Sequence, residues 1–360
     1  MSSTTATATT TSTFAVMPQP NERDVTIELE PQVAKFHDKH SVNYIIRSGL
    51  AGGIAGCMAK SAVAPFDRVK ILFQTNNPHY QAYAGTWTGV FVAGKRIYHA
   101  SGPRGLFQGH SATLIRIFPY AAIKFVAYEQ FRHLIMKTRQ DETSARQFLA
   151  GSLAGITSVL FTYPLELIRV RLAYEDRKDI PVGIRSICQQ IYHEPAGSRN
   201  TIIHLPIMNF YRGLIPTILG MVPYAGVSFL MHHWLSNLCR TTFADFTTSP
   251  SLAAGKLDSR GQERRAPLKT WAELVVGGLS GAIAQTASYP FEIIRRRMQV
   301  YGTLDPTKFA SMLETTRNIW RTRGLPGFYI GLSIGYLKVT PMMAVSFTVY
   351  YRMKLLLNID

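Results

Sequence analysis

One short motif occurs three times in this chain, each time inside a long apolar segment. A proline is followed by an acidic residue two positions later and a basic residue five positions later, a pattern that chance would produce only about 0.1 times at this composition. Two glycines precede each proline, by thirteen and nine residues. This agreement in register indicates an internal triplication. The motif prolines are Pro65, Pro164 and Pro290, and the glycine pairs are Gly52 and Gly56, Gly151 and Gly155, and Gly277 and Gly281.

A second pattern alternates with the first: a proline, a small residue three positions later and a phenylalanine six positions later. It begins at Pro119, Pro223 and Pro341. Each repeat therefore contains two apolar segments of about 20 residues, enough for a helix to cross a bilayer, and paired glycines let such helices approach closely in lipid. We predict an all-α membrane protein with six transmembrane helices in three tandem repeats of two, related by pseudo-threefold symmetry.

Shifts in composition divide the chain into five parts. The repeats are predicted at 43–140, 141–240 and 270–360. Residues 1–42 form a Ser/Thr-rich tail that lacks the apolar content for a core and is expected to be disordered. Residues 241–269 form a polar linker between the second and third repeats.

Charge and apolar content together narrow the function classes. The chain carries a net charge of +17 and is 46% hydrophobic, which suits a soluble nucleic-acid-binding protein or a membrane protein that handles anions. The apolar segments favour the membrane protein, and no nucleic-acid-binding motif is visible, so we expect no nucleic-acid partner. Cys57, Cys188 and Cys239 lack metal-ligand spacing, and no nucleophile or phosphate-loop motif occurs. We therefore expect no metal, no cofactor and no enzymatic activity.

The repeated charges lie where a bilayer makes them costly unless they are paired. The acid and the base of one copy are three residues apart, so they could pair within their own helix. Alternatively, three copies in a ring let each acid reach the base of another repeat, and the proline in each helix would bend the three ends together. Such a ring would plug one end of a water-filled cavity. The predicted pairs between repeats are Asp67 with Arg169, Glu166 with Arg295, and Glu292 with Lys70.

These motifs, with two spans per repeat, resemble the signature of the mitochondrial carrier family over residues 43–357. Leu72, Gln108 and Ile330 depart from the signature, which has basic residues there. The resemblance implies six helices around a central cavity, three short helices on the matrix face, and transport across the mitochondrial inner membrane with both termini in the intermembrane space. One triplicated chain already encloses a pathway, so a monomer is expected.

The family also implies residues that act at the two ends of the cavity. A glutamine braces each charged pair; Gln74 and Gln299 match that position, whereas Ala173 does not. A second network closes the cytoplasmic end in the family, but this chain keeps only one of its acids. We therefore predict a weak cytoplasmic gate and a cavity that rests open to the cytosol. The remnant of that network is Glu129, Arg132 and Lys354.

Positions where the three repeats disagree point to the substrate, because a threefold scaffold needs matching residues and an asymmetric substrate does not. Near the predicted middle of the cavity the unmatched side chains are basic, and no unmatched acid accompanies them. Such groups bind phosphate through charge-assisted hydrogen bonds, so we predict a polyanionic substrate. Some of them could instead extend to the lipid surface or bind lipid phosphate. The unmatched basic residues are Lys60, Arg116, Lys124, Arg296 and Lys338.

Two further residues indicate an adenosine group. Tyr224 lies one helical turn from Gly220, whose bare backbone leaves room for a planar ring, although Tyr224 could also be ordinary core packing. Met221, beside Gly220, completes the predicted binding set. By resemblance, Gly220, Tyr224 and three of the basic residues match positions that bind adenine and phosphates in the adenine nucleotide carriers; those three are Lys60, Arg116 and Arg296.

Longer stretches resemble the coenzyme A carrier group of fungi, which is related to the Graves disease carrier; one is "GLFQGHSATLIRIFPYAAIKF". The group implies import of coenzyme A, or of a close precursor or adenosine phosphate, in exchange for adenine nucleotides or adenosine 3′,5′-bisphosphate. The alternative is another adenine nucleotide or diphosphate cofactor, such as ATP or thiamine pyrophosphate. The family also implies cardiolipin in the surrounding inner-membrane lipid, bound at helix N-termini and glycine stretches such as "YAG" (83–85) and "YRG" (211–213).

Overall fold

The structure is a computed structural model that describes six stretches of the chain: 42–136, 143–175, 183–194, 206–248, 267–304 and 311–357. Nearly all of the predicted tail, most of the predicted polar linker and the last three residues lie outside the described residues. Within those stretches the protein is almost entirely helical, and the β-structure consists of one isolated bridge between Thr248 and Leu268.

Two long helices and a short one between them recur three times, which confirms the predicted six-helix fold with short connecting helices. The sixth long helix is formed by two consecutive segments on either side of Lys338. A further single turn, α7, follows the fourth long helix. The helices are α1 (Val42–Gln74), α2 (Trp87–Leu106), α3 (His110–Ile135), α4 (Ser144–Tyr174), α5 (Ile184–His193), α6 (Leu214–Thr241), α7 (Ala244–Thr247), α8 (Thr270–Leu304), α9 (Met312–Arg323), α10 (Leu332–Leu337) and α11 (Val339–Leu356).

By length and composition alone, three of the described segments could cross a membrane: Ala145–Tyr174, Pro206–Thr241 and Leu325–Leu356. Helices α1, α3 and α8 are also long enough, with 33, 26 and 35 residues. The charges of α1 point inward, since Asp67 is 8% exposed. Apolar groups such as Phe125 and Ile283 lie on the outside. Charges inside and apolar groups outside are what a bilayer requires.

The six long helices form a closed ring. Helix α3 packs along α4, α6 along α8, and α11 along α1, so each repeat's second long helix packs on the first helix of the next repeat. The Ser158 hydroxyl donates a hydrogen bond to the Tyr120 carbonyl across the α3–α4 contact, at 2.7 Å. Arg47 reaches the carbonyl of Leu357 at 3.4 Å where α1 meets α11. The last repeat therefore closes on the first.

Left-handed glycines mark the start of the second long helix in every repeat. Gly109, Gly213 and Gly331 cap α3, α6 and α10 with φ of 82°, 85° and 80°. This conformation is costly for any residue with a Cβ atom. In repeats one and three another glycine with positive φ, Gly102 or Gly324, lies seven residues earlier. The repeats therefore match at the level of single backbone conformations.

A buried charge cluster joins the end of α5, the short helix of repeat two, to α4. Arg171 is 0% exposed, and two of its guanidinium nitrogens donate to the Glu194 carboxylate, one of them at 2.9 Å. Arg212 pairs with the same carboxylate at 2.8 Å. Asn209 donates to the carbonyl of Glu194 at 2.9 Å. One carboxylate therefore balances two arginines in a site that water reaches poorly.

We expect Glu194→Ala to destabilise the protein by about 3–5 kcal/mol, because it leaves two guanidinium groups buried without their counter-ion. Thermal unfolding in detergent measures the loss. Glu273→Ala, at an exposed position in the first turn of α8, is the control and should change the unfolding temperature little. Equal effects of the two substitutions would contradict a structural role for the cluster.

Candidate functional site

Three ion pairs join α1, α4 and α8 into a ring. Arg169 lies 2.9 Å from Asp67, and Lys70 lies 2.9 Å from Glu292. Arg295 pairs with Glu166. Of the two arrangements open from the sequence, this is the one between repeats. We call these six residues the charged network. The end of the helix ring at which they lie is called the network end.

Three more cations contact the same carboxylates. Lys338 lies 2.7 Å from Asp67, and Arg116 lies 2.7 Å from Glu166. Arg296 also contacts Glu166, at 3.2 Å. Six cations therefore share three carboxylates, and the network end carries a surplus of three positive charges. The three extra cations belong to the positions at which the repeats disagree.

Glutamine and tyrosine side chains connect two of the three interfaces at this end. Gln74 donates to Glu292 at 3.1 Å and to the Tyr289 hydroxyl at 2.9 Å, and that hydroxyl donates to the Ile330 carbonyl at 2.9 Å. In the same way, Gln299 donates to the Tyr163 hydroxyl at 3.1 Å, and Tyr163 donates to a backbone carbonyl at 2.8 Å. Each of these two interfaces is thus held by a glutamine–tyrosine brace.

The third interface, between α1 and α4, has alanine in both positions. Ala173 replaces the glutamine and Ala64 replaces the tyrosine, and both line a small void of about 10 Å³. His110 lines the same void and its ring contacts the Ser61 hydroxyl at 2.8 Å. One interface of the charged network is therefore unbraced.

The tyrosines of the braces were not found by the sequence reasoning, although a signal exists. Each stands directly before a motif proline, as "TYP" and "SYP", where the first repeat reads "VAP". At the interface between α1 and α4 both the tyrosine and the glutamine are replaced by alanine. The structure explains why they change together, since the two side chains contact each other at the other two interfaces.

A cavity of about 840 Å³ lies between α3, α4, α6 and α8 and borders the charged network, since Glu166, Glu292 and Arg295 line it. Along α3 it is lined at intervals of four residues by a cation, an aromatic ring, a cation and an aromatic ring, which places them on one helix face. The guanidinium of Arg116 lies over the ring of Tyr120 at 5.3 Å. We call this row the α3 ladder; its members are Arg116, Tyr120, Lys124 and Tyr128.

Another part of the cavity wall comes from repeat two and is mainly apolar. Ile156 and Val159 of α4 and Met221 of α6 line it. Tyr224 also lines it and is 46% exposed. At Gly220 part of the expected space is filled from α8, since a Cβ atom there would lie 3.0 Å from the Cβ of Phe291. The cavity thus has one cationic side and one apolar side.

The predicted substrate-binding residues fall into two groups. Arg116, Lys124, Gly220, Met221 and Tyr224 line the cavity. Arg296 and Lys338 are instead held on the network carboxylates, and the Lys60 ammonium lies 3.5 Å from the sulfur of Met342.

The remaining predicted residues occupy both ends of the ring. Pro65, Pro164 and Pro290 lie inside helices that continue through them. The predicted remnant of a second network lies near the other ends of α3 and α11, where Arg132 is exposed and the other two members are half-buried; they are Glu129, Arg132 and Lys354.

Comparison with known proteins decides the family. The family model described as "Mitochondrial carrier protein" matches three consecutive stretches, residues 41–139, 140–242 and 266–360. This chain belongs to the mitochondrial carrier family. It is accordingly a multi-pass protein of the mitochondrial inner membrane, and it is a solute carrier.

Curated members of the family are similar over most of their length. "Mitochondrial carrier protein LEU5" of Saccharomyces cerevisiae is 51% identical over 331 residues, which cover 88% of this chain and 92% of that protein. "Solute carrier family 25 member 16" of Homo sapiens is 42% identical, with 86% and 88% covered. "Mitochondrial carrier protein CoAc2" of Zea mays is 34% identical, with 87% of each covered.

The network geometry predicts a charge-swap rescue. Lys70→Glu and Glu292→Lys should each lower the unfolding temperature by roughly 5–10 °C, since two like charges then face each other at a cost of about 2–3 kcal/mol. The double variant Lys70→Glu/Glu292→Lys restores an opposite pair and should regain most of the loss. Thermal unfolding of the purified protein measures this. A double variant as unstable as the sum of the singles would show that the pair does not hold the helices together.

Proposed function

We propose that this carrier imports coenzyme A, or a close precursor or adenosine phosphate, into the mitochondrial matrix by alternating access. The counter-substrate is an adenine nucleotide or adenosine 3′,5′-bisphosphate. In this proposal the network end faces the matrix, both chain termini face the intermembrane space, and the cavity is loaded from the cytosol.

The charge surplus at the network end carries the proposal. Arg116, Arg296 and Lys338 add three positive charges to a network that is already neutral in pairs. Unbalanced charge within a bilayer is costly. A substrate that brings several phosphate charges would remove this cost and would give each guanidinium a strong acceptor. The site therefore favours a polyanion over a neutral or cationic solute.

The two sides of the cavity favour an amphipathic polyanion. The α3 ladder extends from Arg116 to Tyr128, about 18 Å along the helix at 1.5 Å per residue. Its cations suit phosphates, and its tyrosines and Tyr224 offer faces for a purine ring. The apolar wall around Ile156 and Met221 suits a long uncharged chain. Coenzyme A combines a phosphorylated adenosine with such a chain, the pantetheine arm.

The alternative substrates use less of this cavity. ATP and thiamine pyrophosphate bring phosphates and an aromatic ring, and they would satisfy Arg116 and the α3 ladder. Neither has a long uncharged arm to cover the apolar wall of repeat two. That wall is the observation that favours coenzyme A over these alternatives.

We also propose that the carrier acts as a monomer that binds cardiolipin. The ring of six helices closes within one chain. Gly85 lies just before α2, and the left-handed glycines Gly109, Gly213 and Gly331 lie at the starts of later helices. The first backbone N–H groups of a helix have no intrahelical acceptor and can bind lipid phosphate.

Uptake of labelled coenzyme A into liposomes loaded with different counter-substrates tests the function. We expect uptake that depends on internal adenosine 3′,5′-bisphosphate or adenine nucleotide. Arg116→Ala should reduce uptake by about 10–100-fold, the loss of one strong charge-assisted bond, yet leave folding intact because Arg295 and Arg296 still balance Glu166. Lys95→Ala, at an exposed position on α2, is the control. Rapid exchange of ATP without any uptake of coenzyme A would contradict the proposal.

The apolar wall predicts a selective defect. Ile156→Trp should narrow the cavity beside the pantetheine arm, lowering coenzyme A uptake at least roughly tenfold, the cost of about 1–3 kcal/mol for overpacking a filled site. Transport of adenosine 3′,5′-bisphosphate, which lacks the arm, should fall much less. Ile283→Trp, at an exposed position of α8 that does not line the cavity, is the matched control. Equal losses for both substrates would place the arm elsewhere.

A further inference from the structure

One arginine in repeat three lacks the partner that its counterpart has in repeat two. Seven residues after the motif proline stand Leu72, Arg171 and Arg297. Arg171 is balanced by Glu194. At Arg297, two guanidinium nitrogens, Nε and Nη2, are buried and have no hydrogen-bond partner among the described residues. Buried donors of a charged group are costly to leave without an acceptor.

The residue that takes the place of the acid in repeat three is itself basic. Arg323 stands eight residues before the left-handed Gly331 and directly before Gly324, which has a φ of 61°. Ser101 has the same two relations to Gly109 and Gly102 in repeat one. In repeat two, the acid that binds Arg171 is Glu194, which directly follows the short helix α5, just as Arg323 ends the corresponding short helix α9. Where that repeat has an acid, repeat three thus has Arg323.

The two arginines of repeat three flank one contact between α8 and α9. Arg297 directly precedes Met298, and Arg323, the last residue of α9, stands about one helical turn after Ile319. The surrounding contact of the two helices is apolar, formed by Ile294, Met298 and Ile319. Two like charges beside an apolar contact repel each other, and an anion bound between them would offset this repulsion.

We propose that Arg297 and Arg323 form a binding site for a phosphate-class anion. A tetrahedral oxyanion can accept from both guanidinium groups at once, which supplies the missing acceptor for Arg297 and balances the repulsion. The anion takes the structural place that the Glu194 carboxylate has in repeat two. The site lies outside the transport cavity, and it does not use the glycine-capped helix starts. Free phosphate and the headgroup of an anionic phospholipid share this chemistry.

A charge substitution that rebuilds the repeat-two arrangement tests the site. Arg323→Glu places a carboxylate beside Arg297, as Glu194 stands beside Arg171. Arg321→Glu changes the net charge equally but lies at an exposed position on the same helix. Arg323→Gln removes one cation without adding an acid. The purified full-length variants are unfolded thermally in two arms: in detergent with and without inorganic phosphate, and after reconstitution into vesicles with and without an anionic phospholipid.

We expect the anion to raise the unfolding temperature of the unmodified protein and of Arg321→Glu by about 2–4 °C more than that of Arg323→Glu. Without added anion, Arg323→Glu should be at least as stable as the unmodified protein, because its acid replaces the anion. Arg323→Gln should lose part of the anion effect. A difference seen with phosphate identifies a free anion as the ligand, and one seen only with the vesicles identifies a lipid headgroup. Equal anion effects in Arg323→Glu and Arg321→Glu, in both arms, would overturn the proposal.

Discussion

Positive charge held inside a bilayer has to be balanced close by, and the network end of this carrier is organised around that requirement. Three carboxylates lie between α1, α4 and α8, and each of them is the point where two helices are joined. Because six cations share these three groups, the same carboxylates that hold the helices together also hold the cations proposed to bind substrate. Any anion that draws Arg116, Arg296 or Lys338 away therefore changes the forces between the helices at the network end. In the proposed transport cycle, substrate binding and opening of this end act on one set of charges.

The fold and the three pairs between repeats could be predicted from the sequence because the triplication makes them visible. A proline, an acid and a base at fixed register in three copies left two arrangements open, pairs within one helix or pairs between repeats, and the structure has the pairs between repeats. Lys60, Arg296 and Lys338 were expected among the cavity-lining residues, and none of the three is on that lining. The sequence could not show this because arginine and lysine side chains are long. Such a side chain can reach a carboxylate several ångströms from its own Cα, and helical register alone does not fix where its charged end lies.

The repeats have divided their roles although they share one backbone plan. Repeat two supplies the apolar wall of the cavity and the buried cluster around Glu194, and it has Val159 and Gly220 where other repeats have Lys60 or Arg116. Repeats one and three supply the surplus cations. The sequence could indicate this division, because it is a matter of residue type at matched positions. The family resemblance indicated the glutamines of the braces but not their tyrosine partners, since pairing them requires knowing that Tyr163 and Gln299 meet across an interface.

The alanines at positions 64 and 173 have a consequence for the order of events in transport. Two of the three helix interfaces at the network end are held by a glutamine and a tyrosine, whereas the interface between α1 and α4 depends on the contacts of Asp67 with Arg169 and Lys338. The interface between α1 and α4 therefore has the fewest side-chain contacts to break when a solute pushes the helices apart. We expect the helices to part first along that line, so that the passage widens from one side and the solute leaves beside repeats one and two instead of along the pseudo-threefold axis.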